Sequence, residues 1–323
     1  MASNLDTNTK AVTSLPASSS AGSNLAAVAR PGSAKAFAWA TIALVACFSV
    51  PLARLAYFAA TSDLYSHILL VPFVSVYLAS LNRRRVLDAS MPAWRFVALT
   101  GGVGLALLAG YWLAMWRSWP IANQDGLAWT TSAFLFLLFG LCGVFADRDT
   151  LQAMRFPLCF LLFMIPFPLM IHNGLEGSLQ RGSALTAYGL FQISGTPVYY
   201  DNMSFQLPGF GLAVAPECSG IHSSLVLFLT SLIAGYLFLR SSWRRTVLAV
   251  AVLPLGLLRN GFRIFVIGEL CVHVGPQMIY SEIHRNGGPV FFALSMVPFL
   301  LLLFLLRRAE QRQADVAQPP PRA

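Results

Sequence analysis

The chain has 323 residues, of which 56% are apolar and only 11% charged, with a net charge of +9. A soluble domain carries about a quarter charged residues, so this composition reads as a polytopic membrane protein long enough for a sizeable all-α helical bundle. The basic residues fall in short clusters between apolar runs and form no face or stripe, which argues against nucleic acid as a partner and makes them topology signals.

In chain order, residues 1–35 are rich in Ala, Ser, Asn and Thr and are expected to be a disordered tail. Crossing about 30 Å of hydrocarbon takes roughly 17–25 residues, and about eight apolar segments qualify. They run approximately over 36–60, 66–82, 95–116, 127–146, 151–171, 219–239, 246–270 and 289–306, within a membrane domain spanning 36–308. The second is short and carries Pro72, a kink candidate. A second disordered tail is expected over 309–323, ending in QPPPRA.

Basic residues orient these segments. The N-terminal tail, the second, fourth and sixth loops with their adjoining span ends, and the C-terminal tail hold sixteen of the 22 Lys and Arg residues. The intervening loops hold three, Arg117, Arg181 and Arg285, and three more, Arg54, Arg259 and Arg263, lie within spans. Alternation of this kind puts both termini in the cytoplasm. The long connection from 172 to 218 is then extracytoplasmic. Its first half has Leu175, Leu179, Leu190 and Ile193 at loose helical spacing and could lie flat in the outer interface. Its second half, PVYYDNMSFQLPG, alternates about Asp201-Asn202 as a small hairpin would.

The five cysteines are far apart, with no metal-type spacing, and no cofactor or metal is expected. Cys47, Cys142 and Cys159 sit in apolar runs and Cys271 near a helix end, where a cysteine usually acts as a small buried hydrophobe. Cys218 differs. It stands in VAPECSGIHSSLVLFL, where polar loop gives way to apolar helix, and the topology puts it at the outer surface. Arg263, about 25 Å along a helix that starts in the cytoplasm near Thr246, reaches the outer part of the membrane, and His284 falls in the outer loop before the last span.

A guanidinium within a span costs at least a few kcal/mol unless it is paired or faces a wet cavity. Arg259 and Asn260 share the stripe of Arg263, which suggests a lined cavity rather than snorkelling. The chemistry that fits is thiolate attack on a carbonyl. Cys218 supplies the nucleophile, His284 the base, and Arg263 holds the developing oxyanion. Glu217 disfavours the thiolate, and it can instead pair with Arg259 or grip a substrate. His222, one helical turn after Cys218, is a rival base or a packing residue.

The pieces YSHILLVPFVSVYL (65–78), IPFPLMI (165–171), LQRGSALTAYGLFQISGTPVYYDNMSFQLPG (179–209), APECSGI (215–221), RNGFRIF (259–265) and HRNGGPVFF (284–292) resemble, in order and spacing, the exosortases and archaeosortases. These are membrane cysteine transpeptidases that process proteins bearing a C-terminal sorting signal. The resemblance implies Cys218 as nucleophile, with Arg263 and His284 as its partners. It departs at Ile68, where the family usually has glycine after Tyr-Ser-His, and at Glu217. It also implies a substrate protein held in the inner membrane by its own C-terminal helix, with a short outer motif, in many systems Pro-Glu-Pro, and a basic inner end. The acceptor, a lipid or a polysaccharide among the options, is not specified, and Arg259 or Arg285 is expected to meet an acidic motif. Two other readings stay open from the sequence. One is a transporter or polysaccharide-export subunit with an Arg-lined path, and the other an enzyme using Cys218 as an acyl carrier.

Overall fold

A computed structural model describes residues 31–81, 92–281 and 287–317. The fold is all-α apart from one small sheet. Five helices are long and apolar enough to cross a membrane: α4 (Trp94–Trp116), α5 (Asn123–Phe145), α9 (Ile221–Phe238), α10 (Ser242–His273) and α11 (Gly288–Ala317). Two bent pairs raise the number of candidate spans to seven. This chain is therefore a multi-pass membrane protein, with five to seven candidate spans among the described residues where about eight were expected.

Proline chemistry accounts for the difference. The first expected span is α1 (Pro31–Cys47) followed by α2 (Ser49–Thr61), bent by 73°. Pro51 in the first turn of α2 has no N–H to continue the ladder from the preceding helix. The second expected span is reduced to a 3₁₀ turn, Ser66–Leu69, and α3 (Val71–Ser80), which at about 15 Å is half a hydrocarbon thickness. The span expected over 151–171 is cut into α6 (Arg148–Ala153), α7 (Arg155–Leu161) and a 3₁₀ turn, Leu162–Met164. Pro166 and Pro168 then turn the chain by 91° into α8 (Leu169–Ser194).

The helix expected in the long connection is α8, and the face it packs inward is a different one from that of Leu175, Leu179, Leu190 and Ile193. Leu175 is 41% and Ile193 85% exposed, while Ser183, Ala184, Ala187 and Phe191 are buried. Small residues win that face because α8 lies close against the C-terminal half of α10, with the two chains running in the same direction. A Cβ on Gly261 would stand 2.6 Å from Thr186 Cβ, and one on Gly268 2.4 Å from Phe191 Cζ.

Over this pair sits a three-stranded antiparallel sheet, β1 (Tyr199–Asp201), β2 (Ser204–Leu207) and β3 (Phe210–Ala213), in the order β1-β2-β3. The expected hairpin is β1-β2, paired Tyr200 to Phe205. Asn202 and Met203 both have positive φ, as a right-twisted two-residue turn requires. The sequence reading missed β3, although Pro208-Gly209, with Gly209 at φ +74°, is a type II turn signal. Phe205, Leu207, Leu212 and Val214 join Phe191 and Ile264 in one apolar cluster that fixes the sheet to α8 and α10.

Helix α11 continues through Ala317, past the expected start of a tail at 309, because Glu310 is tied to the α9–α10 connection. Cys47 and Cys159 are exposed rather than buried, Cys142 is half-buried and Cys271 is buried. The first two stand on outward faces of their helices, where apolar surface meets lipid rather than protein.

Candidate active site

The site is assembled around the turn that carries Cys218. After β3, Ala215 is extended, Pro216–Ser219 forms a 3₁₀ turn, and Gly220 (φ 72°, ψ 17°) caps the N-terminus of α9. Only glycine suits position 220. Its backbone is left-handed, and an added Cβ would stand 2.9 Å from Asn260 Cγ. The Cys-Ser-Gly sequence thus has a packing reason for its last residue.

Helix α10 runs antiparallel to α9 and supplies the polar wall. Arg259 is 8% exposed and Asn260 3%. One Arg259 amino group, Nη2, donates to the Gly220 carbonyl and to Ser224 Oγ, each at 3.4 Å. Its other amino group, Nη1, is buried without a hydrogen-bond partner among the described residues. No carboxylate among the described side chains pairs with Arg259 either. Arg263, one turn further, is half-buried and lines a partly open cavity of about 180 Å³. Asn260, Ile264, Ile267, Ile279 and residues 212–215 line the same cavity.

The structure therefore brings Arg259, Asn260 and Arg263 up to the segment that holds Cys218. His284 and Arg285 lie outside the described residues, as do the side chains of Glu217 and Cys218. Sequence reasoning passed over Ser224 and the Gly220 carbonyl, the two groups that hold Arg259. A serine at i+4 from Gly220 on α9 was the available signal.

His222 belongs to a different wall. It shares a face of α9 with Leu225 and Leu229, which pack into the cluster containing Tyr65, Ile68 and Val71. The rings of His67 and His172 lie 6.4 Å and 6.3 Å from the Tyr65 ring. Gln124 Nε2 donates to Tyr65 Oη at 2.8 Å and to the Phe167 carbonyl at 2.6 Å. Burial, helped by the charge of Glu176, pushes the Tyr65 phenol up to about 12. The His67 Nδ1–H donates to the Leu64 carbonyl at 3.0 Å, an acceptor that requires the proton on that nitrogen. Burial is the largest effect on His67 and lowers its pKa. The Leu64 carbonyl opposes it, His222 adds to it, and the Phe163 carbonyl opposes it again. The Tyr-Ser-His stretch, noted above only as part of a resemblance, thus faces the first turn of α9 from the side opposite Arg259. No group of His, Cys, Asp and Glu among the described residues has the composition of a metal site.

The family model described as transmembrane exosortase matches residues 59–301, about three quarters of the chain. The chain belongs to that family. The match takes in the Tyr-Ser-His turn, the sheet, the Cys218 turn and the arginine stripe of α10, so the whole site lies within the exosortase region. No curated protein and no solved structure matches the chain. Membership makes this exosortase a membrane protein of the class that processes sorting signals.

Proposed function

We propose that this exosortase is a cysteine transpeptidase that removes the C-terminal sorting signal of a membrane-anchored secreted protein. Cys218 is the nucleophile, His284 the base and Arg263 the oxyanion donor, in a pocket on the extracytoplasmic side of the inner membrane, with both termini in the cytoplasm. The observation that carries this reading is the buried arginine–asparagine stripe of α10 packed on Gly220, two residues after the cysteine. A guanidinium this deep, with one donor lacking a partner among the described residues, suits a site where negative charge arrives or develops.

The chemistry follows from the groups present. The Cys218 turn leads straight into the N-terminus of an 18-residue helix, and positive dipole ends and nearby guanidinium groups favour a thiolate. The thiol proton passes to His284, and the sulfur lone pair forms a bond to the scissile carbonyl carbon. The resulting oxyanion is held by Arg263. Collapse breaks the C–N bond, the leaving amine takes the proton from the His284 imidazolium, and a thioester remains on Cys218. An acceptor hydroxyl or amine, or water, then attacks the thioester, gives its proton to His284 and restores the thiolate. Arg259 and Arg285 are the cations for an acidic recognition motif, Asn260 holds the turn that carries the nucleophile, Glu217 precedes the nucleophile on that turn, and His222 meets the substrate from the opposite wall of α9.

The test is a reporter with a secreted domain, a Pro-Glu-Pro segment, one apolar span and a basic end, co-expressed with the full chain. Mass spectrometry of the reporter's C-terminus is expected to find a shortened chain, free or joined to an acceptor, with the wild type and an intact chain with Cys218→Ala. An intact reporter with both proteins, or a shortened one with both, overturns the proposal.

A further inference from the structure

We propose that β3 is a docking strand, and that an extended, acid-bearing segment of the substrate adds to its free edge on the way to Cys218. This rests on the peptidase reading above and concerns how that site recognises its peptide.

The pairing register shows that the edge is available. β2 and β3 pair Ser204 with Ala213, Phe205 with Leu212, Gln206 with Gly211 and Leu207 with Phe210. The Val214 N–H donates to the Met203 carbonyl at 2.8 Å, which makes that pair a hydrogen-bonded one. In an antiparallel ladder the hydrogen-bonded pairs alternate, so residues 210 and 212 and the N–H of 214 face β2, while the Val214 carbonyl accepts from Gln180 Nε2 of α8 at 2.6 Å. Gly211 and Ala213 turn theirs the other way. Both residues are exposed, and β3 is the last strand of the sheet among the described residues. An edge with outward N–H and C=O groups is a template for one more strand.

The cavity lies alongside that edge. Residues 212–215 form one side, and Asn260, Arg263, Ile264 and Ile267 of α10 form the other. The strand and the helix run in opposite directions. Leu207, paired with Phe210 at the start of β3, lies against Gly268, whereas Gly220, beyond the end of β3, lies against Asn260. The cavity therefore grades from apolar at Ile267 and Ile279 to the Arg263 cation and the Asn260 amide, and that polar end is the one nearer the Cys218 turn. Beyond that end lies Arg259, 8% exposed and with Nη1 lacking a partner among the described residues. From Ala213 to Cys218 is no more than about 18 Å of chain. The matching occupant is an extended peptide with apolar residues far from the scissile bond and one carboxylate within a few residues of it.

The experiment uses the full chain in detergent or membranes and a peptide reporter bearing the Pro-Glu-Pro signal. Ala213→Pro deletes the outward N–H at a position where an edge strand tolerates proline. It is expected to lower kcat/KM about tenfold through KM, whereas Ala213→Gly, which keeps the N–H, stays within about twofold. A second measurement keeps the protein wild type. Reporters in which single peptide N–H groups are replaced by ester oxygens are expected to lose cleavage at alternate positions only, the period of a paired strand. Wild-type kinetics for a folded Ala213→Pro protein, or an ester series without alternation, overturns strand addition. If Cys218→Ala is inactive in the same assay, only this inference has failed. If Cys218→Ala still cleaves, the peptidase reading has failed instead.

Discussion

The α9–α10 pair holds arginines at both of its ends, and the two ends treat them differently. At the connection between the helices, Arg245 donates Nε and Nη2 to the Leu239 carbonyl at 2.9 and 2.7 Å. The N–H groups of Arg240 and Ser241 donate to Glu310 of α11 at 2.9 and 2.7 Å, and Arg244 stands 3.3 Å from the same carboxylate. The guanidinium groups of Arg244 and Arg245 there answer a carboxylate and a carbonyl, and the cluster ties α9, α10 and α11 together. At the far end, Arg259 reaches, among the described residues, a carbonyl and a serine hydroxyl, both at 3.4 Å, and one buried donor has no partner among them. Closed charge clusters stabilise a fold, whereas a buried charge left open marks a place prepared for something outside it.

Several substitutions would break or sharpen this contrast, and the largest effect belongs to the nucleophile. Cys218→Ala should lower reporter cleavage by at least about a thousandfold without moving the melting temperature, measured by product yield and thermal denaturation. Next comes Arg263→Ala, with a loss of about 10²–10³ carried mainly by kcat, as expected of a group that holds the oxyanion.

The two ends should then respond in opposite senses to loss of a cation. Arg259→Leu should raise KM for an acid-bearing reporter while leaving stability unchanged or higher, since a buried charge with no carboxylate partner among the described residues is removed. Arg245→Ala should leave kcat/KM per folded molecule unchanged and cost about 1–2 kcal/mol, because the Leu239 carbonyl loses its donors. Paired denaturation and kinetic measurements on these two variants check the contrast directly. A stability loss at Arg259 equal to that at Arg245 would erase it.

The smallest effect is a pH dependence from His67. Burial lowers its pKa in the fold below the ordinary 6.5, so the unfolded chain takes up the proton first. Stability is then flat above about pH 6.5 and falls as the pH drops from there toward the lowered value. His67→Asn should remove that share of the acid sensitivity in melts recorded between pH 5 and 8.

Much of this was legible before any coordinates. The α10 stripe of Arg259, Asn260 and Arg263 could be found because charge in an apolar run is conspicuous and helical spacing is simple arithmetic. The β1-β2 hairpin was legible in its alternation about Asp201-Asn202. Other features were hidden for physical reasons. Hydropathy counts apolar residues and is blind to direction, so it read α1 and α2 as one straight span across Pro51 and gave α3 a membrane-crossing length. The packing face of α8 went unread because leucines are the conspicuous residues of that stretch, while the contact with α10 is made by Ser183, Ala184, Ala187 and Gly261, whose value lies in being small. Nothing local to Tyr65, Gln124, His67 and His222 says that they meet, since they come from separate helices and turns.

By itself, the sequence determined that this is a helical membrane protein and the family to which it belongs, and it supplied the residues proposed to bear the chemistry. Those properties depend on composition, spacing and local order along the chain. Only the tertiary structure decided that Arg259 grips the Gly220 carbonyl, that a third strand borders the arginine-lined cavity, and that this strand is the last of its sheet among the described residues. Such contacts join segments far apart in the chain, where the volume of a missing side chain and the register of a ladder, rather than hydropathy, set what can touch.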